Sequence, residues 1–180
     1  RIMAYSTDTD GSERFTIRFR DLVTGEDLPD VITGTGGSFA FTKDSSFLLY
    51  TPVNDNWRSE KVMLHKLGTP VAQDKMLFHE QDIGFQVGVG MTHSEKYLII
   101  ATGDNVTSEV RLLPADNPFA APILVRERQP GVEYDVEEHG GTLFIHTNDT
   151  SPQFRLVTAP IAKPGEWTER IAASPRFYMT

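Results

Sequence analysis

Few residues of this 180-residue chain have the chemistry to act on another molecule, and most of those fail on spacing. Ser38 lies in Gly36-Gly-Ser38-Phe-Ala40, where Ala40 stands in place of the second glycine of a Gly-x-Ser-x-Gly elbow. That elbow holds a nucleophilic serine on a sharp strand-to-helix turn, whereas here Phe39-Ala-Phe41 continues as a strand. A hydrolase built on Ser38 would also need a His and an Asp within hydrogen-bond reach. Asp8-Thr-Asp10-Gly11-Ser-Glu13 has the look of a calcium loop, but its glycine falls at the fourth place instead of the sixth and the bidentate Glu at twelve is missing. It reads as a solvated hairpin turn. His65, His79, His93, His139 and His146 form no helical His-x-x-x-His pair and sit beside no clear carboxylate set, so most are expected at the surface or on edge strands. No catalytic residue, cofactor site or metal site is assigned.

Gly84, Gly88 and Gly90 lie on or beside a strand with no helix after them, which is the wrong context for a phosphate-cradling loop. Close packing of converging strands accounts for them instead. Asn105-Val-Thr107 and Asn148-Asp-Thr150 fit the glycosylation pattern and read as chance matches in turns. The remaining group is acidic. Glu133-Tyr-Asp135 and Glu137-Glu138 put four carboxylates on or beside one short strand. If that strand lines a channel, its field attracts ligands carrying Lys or Arg, and Glu133 and Asp135 are the candidate substrate-channel residues. Otherwise the group is a solvated acidic rim.

Composition narrows the class. The net charge is -8, from 17 Lys plus Arg against 25 Asp plus Glu, which argues against a nucleic-acid partner because phosphate binding needs cations. The absence of cysteine removes disulfides, thiolate metal sites and Cys nucleophiles together, and is compatible with a cytoplasmic setting. With 39% hydrophobic and 23% charged residues and no apolar run of the ~18 needed to cross a bilayer, the chain is expected to be a soluble globular domain. It opens on Arg1 and runs at once into Ile2-Met3-Ala4-Tyr5, so it is expected to be cut from something longer.

The elements that must position these residues are short strands. Runs rich in β-branched and aromatic residues recur between Gly, Asp, Asn, Pro and Ser, and no 3.6-residue apolar stripe lasts ten residues. Phe15-Thr-Ile17-Arg-Phe19-Arg alternates as a half-buried strand must. The runs also repeat. Ser38–Phe41, Phe47–Tyr50, Lys61–Leu67 and Met76–Phe78 are followed in the same order by Phe85–Val87, Tyr97–Ile100, Glu109–Leu112 and Ile123–Val125, then by Tyr134–Val136, Leu143–Ile145, Phe154–Val157 and Trp167–Ile171. Four strands per ~40–50 residues is the signature of a β-propeller blade, whose sheet buries its faces only against neighbouring blades. The expected fold is an all-β propeller segment of about four blades, each a four-stranded antiparallel sheet. It comprises a partial blade at 1–33, full blades at 36–80, 83–127 and 132–172, and the start of another at 176–180. The end pieces either pair to close a small ring or leave an open arc whose edges invite self-association. A β-sandwich is the structural rival.

Several blocks resemble a known family. They are Tyr5-Ser6-x-Asp8, Thr16-Ile-Arg18-Phe19-Arg20, Gly25, His65-x-Leu67-Gly68-Thr69-Pro70, Asp74, Glu80 and Asp82, then Thr107-Ser-Glu-Val-Arg-Leu-Leu113 with Ala115-Asp116, Glu133-Tyr134, Phe154-Arg-Leu-Val157 and Trp167. In order and across nearly the whole chain they resemble the propeller of the oligopeptidase B (protease II) branch of the prolyl oligopeptidase family of serine peptidases. Phe41, Gln81 and Gln153 depart from its usual Trp, Lys and Asn. The resemblance implies a seven-bladed ring capping a C-terminal α/β-hydrolase domain of the same polypeptide, which carries the Ser, Asp and His and grips the basic side chain. It implies cleavage of short peptides after Arg or Lys, with the propeller filtering substrates by size. These 180 residues alone are then expected to be inactive. The alternative from another class is a stand-alone propeller serving as a protein-interaction module.

Overall fold

The structure, a computed structural model, describes residues 1–179. Fourteen strands in chain order make up its regular structure, with one turn of 3-10 helix at Val71–Gln73 and no α-helix among the described residues. The first six are β1 (Ile2–Thr7), β2 (Phe15–Asp21), β3 (Asp27–Phe41), β4 (Phe47–Pro52), β5 (Lys61–Lys66) and β6 (Lys75–His79), followed by β7 (Gln86–Met91). Then come β8 (Tyr97–Gly103), β9 (Ser108–Pro114), β10 (Ile123–Leu124), β11 (Tyr134–His139), β12 (Thr142–Thr147), β13 (Arg155–Pro160) and β14 (Thr168–Ile171). Strands β1 to β6 form one sheet in chain order, β7 to β10 a second in the order β10-β9-β8-β7, and β11 to β14 a third in chain order. The all-β, four-strand expectation is met by the second and third sheets. The chain divides into two compact units, Arg1–Gly90 and a second from Met91 onward.

In the first unit the alternation along β2 decides which face is inside. Ile17 and Phe19 are fully buried while Arg18 between them is exposed. They join Ile32, Leu48 and Tyr50 in a core flanked by Ile2, Ala4, Leu28, Phe39, Phe41, Met63 and Leu67. The interval 34–35 that separates the first two expected blades falls inside β3. Its first half pairs with β2 as far as Phe15↔Thr35, its second half pairs with β4 from Phe39↔Tyr50, and the register shifts between Thr35 and Phe39. Gly34 and Gly37, at φ 67° and 83°, supply the positive φ this irregularity demands, so one strand serves two neighbours and six strands join in one sheet. At the other end, Arg176–Met179 carry no strand, and Thr180 of the expected next blade lies outside the described residues.

In the second unit, Val110, Leu112 and Val125 pack against Tyr134, Val136, Leu143, Ile145, Val157 and Ala159. Tyr134 is the stitch between the two layers. Its hydroxyl donates to the Arg126 carbonyl at 2.6 Å and accepts from the Val110 N–H at 2.9 Å. Its own N–H donates to Ser108 Oγ at 2.6 Å, and Ser108 Oγ donates to its carbonyl at 2.9 Å. Trp167 meets the ring edge-on at 5.3 Å, with the Arg126 guanidinium 4.0 Å above the indole. Burying Tyr134 and Val136 turns Asp135 and Glu137 to the opposite, exposed face of β11.

The 50-residue repeat also appears in turn chemistry. Thr42 before β4 and Thr92 before β8 each accept at their side-chain oxygen from the backbone N–H five residues on, at Phe47 and Tyr97. Each also bonds the same residue through its backbone N–H, and Ser45 and Glu95 take positive φ values of 57° and 56°. Between β11 and β12 the turn shrinks to Gly140-Gly141, both at positive φ.

Removing the Tyr134 hydroxyl strands a buried donor and a buried acceptor, so Tyr134→Phe is expected to lower stability by about 1–3 kcal/mol. Burial pushes the phenol from its ordinary 10.0 up to about 12. A raised folded pKa means this contribution is complete below about pH 10 and is lost as pH rises through 12. Urea unfolding of both proteins between pH 8 and 11 checks this: the gap should be constant at lower pH and narrow above pH 10.

Candidate functional site

A cavity of about 430 Å³ lies in the second unit, lined by Ile99, Ala101, Val110, Asp135, Val136, Glu137, Phe144, His146 and Leu156. Strand β11 is an edge strand of its sheet, paired only with β12, and register places Asp135 opposite His146 and Glu137 opposite Phe144. Leu156 follows opposite His146 on β13. The walls are thus mostly apolar, with two carboxylates and one imidazole, and among the described residues no Lys or Arg lines the space.

The two candidate channel residues part company here. Glu133 does not line the cavity and is engaged with Asn148, which accepts from its backbone N–H at 2.7 Å and donates to its side chain at 3.3 Å. Asp135 does line it, is exposed, and its side chain has no hydrogen-bond or ion-pair partner among the described residues. The other two acidic residues are occupied. Glu137 Oε2 accepts from the His93 N–H at 2.9 Å. Glu138 is buried on the other face, where it accepts from the Gly141 N–H at 2.6 Å and faces Lys96 Nζ at 3.4 Å. Burial pushes its carboxyl up, but hydrogen bonds from Ser94, Gly141 and Lys96 outweigh that and hold it below the usual range. His146 is stacked on Phe154, with Nε2 3.1 Å from the Met179 carbonyl.

The other residues with possible chemistry are tied into structure. Ser38 Oγ lies 3.1 Å from Thr51 Oγ1 and accepts from the Val89 N–H at 3.3 Å; neither partner is a base. Asp8 fills its carboxylate with the N–H groups of Asp10, Gly11 and Glu13, so the loop is an Asp-centred turn, as its spacing indicates. Those bonds, led by the one from Glu13, lower its pKa. The glycine expectation needs correction: a Cβ placed on Gly88 or Gly90 would meet no atom within 4 Å, and on Gly84 only Asp82 Oδ1 at 3.3 Å. Crowding is found at Gly36, where a Cβ would come within 2.6 Å of Ser59 Oγ.

One constellation in the first unit was not visible in the sequence. His65 on β5 is fully buried, with Nδ1 2.8 Å from Asp74 Oδ1 and Nε2 3.1 Å from Asp30 Oδ1. The Gly68 N–H donates to Asp30 at 2.6 Å, and the Tyr50 hydroxyl donates to Asp74 Oδ2 at 2.9 Å. Burial first, and then Asp74, push the Tyr50 hydroxyl far above its ordinary range. A neutral imidazole has one N–H, so one ring nitrogen donates to an aspartate, and the other contact takes either a second ring proton or a carboxyl O–H that donates to the ring. With both nitrogens taken, the ring enclosed and no nucleophile bonded to it, this set is a brace holding β3, β4, β5 and the segment 68–74 together. His65 thus departs from the surface placement expected of most histidines. Its partners lie 35 and 9 residues away, beyond any local motif.

These features define a β-propeller class of domain, and comparison with known proteins identifies which one. The family model for the prolyl oligopeptidase N-terminal beta-propeller domain matches residues 1–179. The chain belongs to the prolyl oligopeptidase family of peptidases, and the sandwich alternative falls. It is 35% identical over 176 residues to dipeptidyl aminopeptidase BI of Pseudoxanthomonas mexicana, covering 96% of this chain and 24% of that protein. Among solved structures, oligopeptidase B from Leishmania major superposes with a TM-score of 0.89 at 29% identity, covering 96% of this chain and 25% of that one. Oligopeptidase B from Trypanosoma brucei gives 0.86 at 34%, covering 97% and 25%. The chain therefore spans about a quarter of the length of these relatives.

Replacing His65 by Leu leaves two buried carboxylates facing an apolar group, and is expected to cost about 3–5 kcal/mol in urea unfolding. His93→Ala, at a side chain 98% exposed, is expected to stay within about 0.5 kcal/mol of the parent.

Proposed function

We propose that this chain is the substrate-filtering part of the propeller of a cytoplasmic serine oligopeptidase that cleaves short peptides after Arg or Lys. The observation that carries this is the family match across residues 1–179, supported by two oligopeptidase B structures that superpose over 96% and 97% of the chain. In this reading the Ser, His and Asp of acyl transfer belong to a C-terminal α/β-hydrolase domain of the same polypeptide, and the propeller contributes a wall. The chain's own residues fit that division. Ser38 is hydrogen-bonded to Thr51 and Val89, and His65, between Asp30 and Asp74, is enclosed and has no nucleophile bonded to it. A propeller filters sterically because its blades are rigid sheets with close-packed faces; widening the passage means separating layers such as the one between Val110 and Tyr134. The T. brucei relative has been captured in a closed form with covalently bound antipain, which agrees with an enzyme whose peptide site shuts.

Hydrolysis by the full-length protein of a short arginyl amide, its norleucyl analogue, and arginyl peptides of increasing length tests the reading. The expected result is a preference of at least ~100-fold for arginine, a steep fall in kcat/KM once the peptide outgrows the passage, and no turnover by residues 1–180 alone. Indifference to charge, equal cleavage of folded proteins, or turnover by the isolated propeller residues contradicts it.

A further inference from the structure

We infer that Arg14 and Arg58 are positioning residues that clip the connecting segments 8–14, 53–59 and 82–85 into one rim, and that these clips set the greatest length of peptide the propeller admits. The inference deepens the proposed function and rests on it for the filtering role.

The segment 53–59 joins β4 to β5 and is folded to hold two side chains in fixed directions. Asn54 Oδ1 accepts from the Asn56 N–H at 2.9 Å and the Arg58 N–H at 3.0 Å, and the Asn54 N–H donates to the Arg58 carbonyl at 2.9 Å. Trp57 closes this turn at a positive φ of 57°. On one side the segment meets the β1–β2 hairpin. The Trp57 indole N–H donates to the Ser12 carbonyl at 2.9 Å. Arg14 returns the contact, donating through Nη2 to the Asn54 carbonyl at 2.9 Å and through Nη1 to the Val53 carbonyl at 3.3 Å, with its guanidinium 4.4 Å from the centre of the indole. On the other side it meets the segment that leads into β7. Arg58 donates through Nη2 to the carbonyls of Asp82 at 2.7 Å and Phe85 at 2.8 Å, through Nε to Phe85 at 3.2 Å, and through Nη1 to Glu60 Oε2 at 3.1 Å. The next carbonyl, that of Ser59, accepts from the Val87 N–H at 2.7 Å.

These bonds run between connecting segments and not within a ladder. Segment 53–59 joins strands of the first sheet, whereas β7 is the edge strand of the second. The Val89 N–H of β7 also reaches Ser38 Oγ on β3 at 3.3 Å, so the strand that follows 82–85 is the one brought against the neighbouring blade. In a ring of blades, edge strands on the converging side border the central passage. Parting 53–59 from 82–85 breaks the Asp82 and Phe85 bonds of Arg58 together, and parting it from 8–14 strips Arg14 of both carbonyls and the indole. A guanidinium suits this task because its planar fork fixes direction and its charge strengthens each bond to a carbonyl. Loss of Arg58 leaves Glu60 Oε2 accepting from Asn54 Nδ2 at 3.0 Å, so the rim loosens without stranding that carboxylate. The ladders within the two sheets stay intact.

The test uses the full-length protein, its Arg14→Gln and Arg58→Gln variants, and arginyl peptides of increasing length. Both variants should cleave the shortest peptide with a kcat/KM within about twofold of the parent. For the first peptide that the parent excludes, kcat/KM should rise about tenfold, the equilibrium weight of one lost charge-assisted hydrogen bond. Trp57→Phe keeps a ring under Arg14 and removes the Ser12 bond, so it should move the cutoff in the same direction by less, and it decides the matter if a glutamine variant does not fold. A fall in kcat/KM that is uniform across lengths marks a merely structural role and overturns the inference. The two readings fail differently. A sharp cutoff in the parent that none of the variants moves leaves the filtering role standing and sinks the clips alone, whereas a parent with no cutoff sinks the filtering role and the clips with it.

Discussion

The second unit depends on one buried contact, the seating of Tyr134 between β9 and β11. Its hydroxyl and backbone make four hydrogen bonds, to Ser108 twice, Val110 and Arg126, in a layer otherwise closed by Val, Leu and Ile. A strand has a side-chain period of two, so fixing one residue inward fixes its neighbours outward. The orientation of Asp135 is therefore a consequence of where Tyr134 is held. A slip of one residue would bury a carboxylate and expose the phenol, and both changes are unfavourable.

The first unit solves a different problem, carrying polar groups through a core. His65 has two aspartates as partners, and the aspartates in turn have Tyr50 and the Gly68 N–H. Such a brace adds little net stability over a well-packed apolar substitute, but it ties four segments into one geometry that fails if any member is lost.

Much of this was legible in the residues. The alternation in Phe15–Arg20 and the 50-residue spacing of Leu48 and Leu98 point to short antiparallel strands in repeated quartets, and the two β4 and β8 hairpins share their threonine turn as well. Asp135 stands out in the sequence as one of four carboxylates, Glu133, Asp135, Glu137 and Glu138, on or beside one short strand. The missed features are long-range or conformational. Nothing local says that Asp30 will meet His65, that Asn148 will occupy Glu133, or that Gly34 and Gly37 let β3 run on past an expected break. Glycine identity likewise gave no sign that Gly36 is the crowded one while Gly88 and Gly90 have room for a side chain.

The central claim is that Tyr134 fixes the facing of β11 and so aims Asp135 at the cavity. Single cysteines placed at 134, 135, 136 and 137 of the full-length protein, probed with a small maleimide, read that facing directly, since residues 1–180 contribute no cysteine of their own. The account predicts fast labelling at 135 and 137 and protection at 134 and 136. Labelling that rises smoothly along the strand, or alternates in the opposite phase, would contradict it.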